Sequence, residues 1–207
     1  MPHRVFVDSN VFVSRTIRDW LFLLRHETDG MFQTHSTVDV IAESVRAVRR
    51  LKPRLDGAIT HELQRRLIDN LDEIQASFDG TLPFAGRDRD DFHVHAAAVA
   101  SRADILLTSN GRDFGDPAKL PYDIWTPDEF FVLVDDSAPA HVARVTADQH
   151  RYWSAKSSKR NVADALVAAD CPRFAARVAR HVHDPRSAGR PRTAAGPSRS
   201  RERAAPR

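Results

Sequence analysis

Val5-Phe6-Val7 is a short apolar run between polar neighbours and ends in Asp8-Ser9-Asn10. An uninterrupted apolar run of this length is the pattern of a strand covered on both faces, as in a parallel sheet. From Thr16 to Glu27 the pattern changes to helical spacing, with Trp20, Leu21, Leu23 and Leu24 as the apolar positions and Gly30 in the turn beyond. Ser36 stands as an N-cap with Asp39 three residues on, and Val38, Ile41, Val45 and Val48 follow at helical intervals. That helix is expected over residues 37–51, with Pro53 stopping it. Thr60 opens another, with Leu63, Leu67, Leu71 and Ile74 on one face, closing before the turn dipeptide Asp79-Gly80.

Gly86-Arg87-Asp88-Arg89-Asp90-Asp91 is a polar lead into a helix that turns Val94, Ala97 and Ala98 inward. Ile105-Leu106-Leu107-Thr108 is a second buried strand, followed by the loop Ser109-Asn110-Gly111-Arg112-Asp113, and Ile124-Trp125 is a third. Thr126-Pro127-Asp128-Glu129 carries the signals of a helix start: Thr at the N-cap, Pro at the first position and Glu at the third. Strands separated by helices imply right-handed crossovers and a parallel sheet. The fold expected is therefore α/β, with a short central parallel sheet between helical layers over residues 1–136. Residues 135–139 are expected to link it to a small helical C-terminal region, 137–185, broken at Cys171-Pro172. Residues 186–207 hold almost no large apolar side chain and are expected to be a disordered basic tail.

Charge sharpens this division. Residues 1–137 carry 16 Lys and Arg against 23 Asp and Glu, whereas residues 186–207 carry seven Arg against Glu202 alone. The acidic part suggests a cation site and the basic end a polyanion contact. Apolar runs no longer than Trp20–Leu24 exclude a membrane span, which needs roughly 20 residues. The polar start, MPHRVFVDSN, does not fit a signal peptide, and the single Cys171 excludes an internal disulfide and a cysteine-rich zinc site. A cytoplasmic setting fits both.

In open parallel sheets, sites form beyond the carboxyl ends of the strands. Asp8 follows the first strand there, and Asn110 and Asp113 follow the second. Asp91 opens the helix that leads to the second strand, and Glu43 lies on the flank of the residue 37–51 helix. Each alone fits an ordinary cap, turn or solvated role. Together they form a carboxylate cluster, which is unfavourable unless a cation neutralises it. Oxygen donors select Mg²⁺ or Mn²⁺, ions that support phosphodiester hydrolysis. His93 and His95 lie about 200° apart on a helix, which argues against a zinc pair. No phosphate-binding GxxxxGK[ST] loop is present.

The spacing of these residues resembles that of PIN-domain ribonucleases over about residues 4–134. The resemblance rests on VFVDSNVF, on Ser36 to Glu43, on DDFHVHAAAVA and most specifically on AVASRADILLTSNGRDF. It implies a Mg²⁺-dependent endoribonuclease, often the toxin of a bacterial VapC-type toxin–antitoxin pair. The implied acidic set is Asp8, Glu43, Asp91 and a loop position at Asn110 or Asp113. Many members carry Asp where this chain has Asn110, so Asp113 is expected to supply that charge. Arg46, Arg49, Arg50 and Arg112 are candidate contacts to RNA phosphates. The partners implied are an RNA substrate, a cognate antitoxin protein and a second copy of the chain. The alternative is a non-catalytic PIN-like module that holds RNA or an antitoxin.

Overall fold

The computed structural model describes residues 1–155 and 161–183. Five strands form one parallel sheet: β1 (His3–Val7), β2 (Phe32–Ser36), β3 (Glu73–Ile74), β4 (Ile105–Leu107) and β5 (Asp123–Trp125), in the order β3-β2-β1-β4-β5. Val5, Phe6 and Val7 are all fully buried. Successive strand residues point to opposite faces, so both faces of β1 are covered by helices. The helices are α1 (Ser9–Val13), α2 (Arg15–Glu27), α3 (Val38–Leu51), α4 (Gly57–Asn70), α5 (Phe92–Ala100), α6 (Pro127–Ser137), α7 (Pro139–Ser154), α8 (Val162–Val167) and α9 (Pro172–His183).

Strands β2 and β3 are additions to the sequence reading. Phe32-Gln33-Thr34-His35-Ser36 has only one apolar side chain, yet its last three residues are buried. Polar groups of Thr34 and Ser36 are met from neighbouring strands and loops, whereas His35 Nε2 has no hydrogen-bond partner. Thr34 N donates to Asp72 at 2.8 Å, and the Ser36 hydroxyl donates to the Val7 carbonyl at 3.0 Å. Ser36 is therefore the end of a strand, and Thr37 is the N-cap of α3, its hydroxyl accepting from Val40 N. Helix α3 turns Val40, Ile41 and Ser44 inward, while Val38 is 59% exposed. Helix α4 begins earlier than expected because Asp56, not Thr60, caps it, accepting from Ala58 N. It ends at Asn70, and Ile74 pairs as a strand with Ser36.

The stretch expected to be a linker is the end of α6 and the start of α7, which meet at Ala138. The following helices share the core of the sheet domain. Phe174 of α9 meets the Trp20 ring edge-on at 5.0 Å and lies 5.1 Å from the Phe131 ring. Buried Asp128 of α6 accepts from the backbone N–H of Arg173 at 3.3 Å and of Phe174 at 2.8 Å. A carboxylate from another helix thus caps α9, meeting two otherwise unpaired donors and the positive end of the helix dipole. Buried Asp135 holds Arg177 at 3.1 Å and His181 at 2.6 Å. The tail expected over residues 186–207 lies outside the described residues.

Replacing the cap tests how far α9 supports the sheet domain. Asp128→Ala should destabilise the fold by about 1–2 kcal/mol, the usual effect of losing a side-chain cap. The loss should appear in urea unfolding followed by tryptophan fluorescence. An unchanged midpoint would show that α9 docks without help from this cap.

Candidate active site

The strand order reverses between β1 and β4, and the crevice beyond their carboxyl ends is where an open α/β sheet accepts ligands. Val5, Phe6 and Val7 pair with Ile105, Leu106 and Leu107, so the two strands end level and bring Asp8 beside Thr108. Asp8 is 2% exposed and caps α1. Its Oδ1 accepts from Ser9 N at 2.5 Å, and its Oδ2 accepts from Thr108 Oγ1 and Asn10 Nδ2, both at 2.7 Å. Burial pushes the Asp8 carboxyl above its ordinary range. The Thr108 and Ser9 hydrogen bonds oppose that rise, and the nearby Glu43 charge adds to it.

The loop after β4 continues this network. Asn110 Oδ1 accepts from Asn10 at 2.6 Å and shares with Asp8 the single proton of Thr108 Oγ1, 2.5 Å away, and its Nδ2 donates to Asp113 Oδ2 at 3.1 Å. The Asn110 oxygen, expected to be a cation ligand, is thus committed to protein donors. Its amide nitrogen instead orients the Asp113 carboxylate. Gly86 lets the segment leading to Asp91 lie against this loop. A Cβ on Gly86 would stand 2.4 Å from the Asp113 carbonyl oxygen, which accepts from Arg87 N at 2.8 Å. Beneath, Phe84 packs on Phe92, Phe114 and His95. His95 Nδ1 lies 2.7 Å from the Tyr122 hydroxyl, so His95 belongs to the packing.

Asp91 ends the 3₁₀ turn Arg89–Asp91 that leads into α5. Its Oδ2 is buried and has no hydrogen-bond partner. Burial, followed by the charges of Asp8, Asp88, Asp113 and Glu43, raises its carboxyl to about 6. Carboxylates far apart in the chain therefore act on one another through space. Glu43 is half-exposed on α3, with Oε2 3.9 Å from His93 Nε2. Of the candidate phosphate contacts, Arg46, Arg50 and Arg112 are exposed. Arg49 is turned away, donating to the Leu55 carbonyl and, at 3.1 Å, to the Thr60 hydroxyl, so it joins α3 to α4.

Among the described residues, no group of three His, Cys, Asp or Glu side chains could hold a metal ion as it stands. The donor set nevertheless suits Mg²⁺, which keeps much of its water and needs only one or two carboxylates from a protein. The unpartnered Asp91 oxygen and the mutual charge of the cluster both favour a cation there. Sequence reasoning missed Asn10 and Thr108 as organisers of the site. Their signal is positional: each lies just beyond a strand end, in DSN and TSN. Asp88 escapes notice in the sequence because nothing there shows that its charge reaches Asp91.

The sequence pattern of the PIN domain matches residues 4–112, and the chain belongs to the PIN domain family. This is a nuclease-like fold whose members typically bind Mg²⁺. No curated protein matches the chain. The matched span contains Asp8, Glu43, Asp91 and Asn110, and ends just short of Asp113.

The Asp91 environment has a consequence for the metal-free protein. Its folded value of about 6 lies above the ordinary 3.8, so folding favours the protonated form. The stability it contributes is full below about pH 4 and is lost as pH rises through about 6. In chelator, Asp91→Asn should gain melting temperature over the parent chain as pH rises across that window, and added Mg²⁺ should close the gap. A difference independent of pH would remove the raised carboxyl from the site.

Proposed function

We propose that the chain is a metal-dependent endoribonuclease that hydrolyses RNA phosphodiester bonds, and that it serves as the toxin of a bacterial toxin–antitoxin pair. The observation that carries the reading is the unpartnered, buried oxygen of Asp91 among four further acidic side chains, at the crevice where an α/β sheet takes its ligand. Asp8, Asp91 and Asp113 would hold Mg²⁺, directly or through water, with Glu43 on the open side. A bound Mg²⁺ supplies charge stabilisation at a transferring phosphoryl group and lowers the pKa of water.

The chain's own residues account for the rest. Thr108 and Asn10 fix the Asp8 carboxylate by hydrogen bonds to Oδ2, leaving it little freedom to rotate away. Asn110 holds Asp113 towards the crevice. The exposed guanidinium groups of Arg46, Arg50 and Arg112 suit phosphates on either side of the scissile bond. The arginines of residues 186–207 add attraction that does not depend on RNA sequence. A cognate antitoxin would restrain the activity. A second reading, a non-catalytic module that holds RNA or antitoxin, draws on the Asn110 oxygen, which protein donors already occupy.

Mapping cleavage of total RNA with Mg²⁺ and with excess chelator separates the two readings. Cleavage should require the ion and fall to background in Asp8→Asn, which keeps the side-chain shape and removes the charge. RNA retention without cleavage by the parent chain under any divalent ion would favour the second reading. Truncation after Asp184 should weaken RNA binding and flatten its salt dependence. The slope of log K against log salt should fall by about 0.9 or less for each phosphate that the tail no longer neutralises. An unchanged salt slope would leave the tail without a role in binding.

A further inference from the structure

His93 stands at the edge of the acidic crevice and takes no part in the network around Asp8. Its Nδ1 lies 2.7 Å from the Asp90 carbonyl oxygen. A carbonyl only accepts, so Nδ1 carries a proton, and the lone pair of the ring is the one at Nε2. That atom is buried and has no hydrogen-bond partner, and it faces Glu43 Oε2 across 3.9 Å. The gap is too long for a hydrogen bond. It is, however, within the span that two ligands of one ion can bridge. Donors about 2.1 Å from an octahedral ion lie about 3.0 Å apart when adjacent and about 4.2 Å apart when opposite.

We infer that His93 Nε2 and Glu43 would supply a nitrogen and an oxygen ligand to the cation site, so that the site favours transition ions such as Mn²⁺ and Co²⁺ over Mg²⁺. The inference rests on the proposal that this crevice holds a divalent ion. Its physical basis is the donor chemistry. Mg²⁺ takes oxygen ligands and gives up its water reluctantly, whereas an imidazole nitrogen binds first-row transition ions in an order that rises from Mn²⁺ to Co²⁺. The Asp90 carbonyl is the outer partner that fixes the tautomer and the ring plane, as is usual for a ligating histidine. Two protein ligands suffice because water fills the remaining positions.

The test uses the full chain, stripped of metal and titrated at pH 7.5 with Mg²⁺, Mn²⁺ and Co²⁺. Bound Mn²⁺ should show coupling to a ¹⁴N nucleus by pulsed electron paramagnetic resonance. His93→Ala should lose that coupling and weaken Mn²⁺ binding about tenfold and Co²⁺ binding further, with Mg²⁺ affected less than about twofold. His93→Gln should behave in the same way, and circular dichroism of both variants verifies their folding. Absence of nitrogen coupling in the parent chain, or an equal loss for all three ions, overturns the inference. RNA cleavage without nitrogen coupling removes this inference and leaves the ribonuclease proposal standing. Nitrogen coupling without cleavage under any ion does the reverse.

Discussion

The 2.7 Å hydrogen bond from Thr108 to Asp8 joins the ends of the two central strands, and the crevice is organised outward from it. A carboxylate 2% exposed to water is costly unless donors replace its hydration. Here Ser9, Asn10 and Thr108 supply them; the first two are local to Asp8, and Thr108 reaches it because β1 and β4 end in register. Asn110 shares the single Thr108 proton with Asp8 and in turn holds Asp113. A displacement of one strand against the other would therefore disturb the whole row of side chains. The apolar residues that hold the register, Val5 to Val7 and Ile105 to Leu107, are almost completely buried.

The C-terminal helices bear on the same architecture from a distance. Trp20 on α2 and Phe131 on α6 have their apolar faces covered by Phe174 on α9. The buried carboxylates of Asp128 and Asp135 have their charges met by the α9 backbone and by Arg177 and His181. Helices α6 and α9 are therefore mutually dependent. Each would expose apolar surface without the other, and α6 would also keep two poorly hydrated charges without partners.

Much of this is legible in the chain. The apolar runs at Val5 and Ile105 mark β1 and β4, because a strand covered on both faces admits little else. The Thr126-Pro127-Asp128-Glu129 start of α6 is legible too, since a capping box is local chemistry and Thr126 and Glu129 do form one. The helical pattern before Gly30 matches α2 to within one residue at its start. Strand β2 escapes such a reading because its buried residues include Thr34, His35 and Ser36, whose polar partners, Asp72, Arg4 and Val7, come from elsewhere in the chain. The α6–α7 junction resembles a linker for a related reason. Asp135 and Asp136 suggest solvent until Arg177 and His181 are seen beside them.

The sequence by itself determined the α/β class, the two central strands and the placing of acidic residues at strand ends, because apolar runs, capping and strand-end residues are properties of neighbouring positions. Only the tertiary structure decided which atoms of those residues remain available. It turned the Asn110 oxygen inward to Thr108 and Asn10, withdrew Arg49 to the α3–α4 joint, and left Asp91 Oδ2 and His93 Nε2 without partners. The reason is physical: hydrogen bonds and Coulomb interactions act through distance in space. Side chains such as Asp8 and Thr108, 100 positions apart in the chain, acquire their roles only when strand register brings them together.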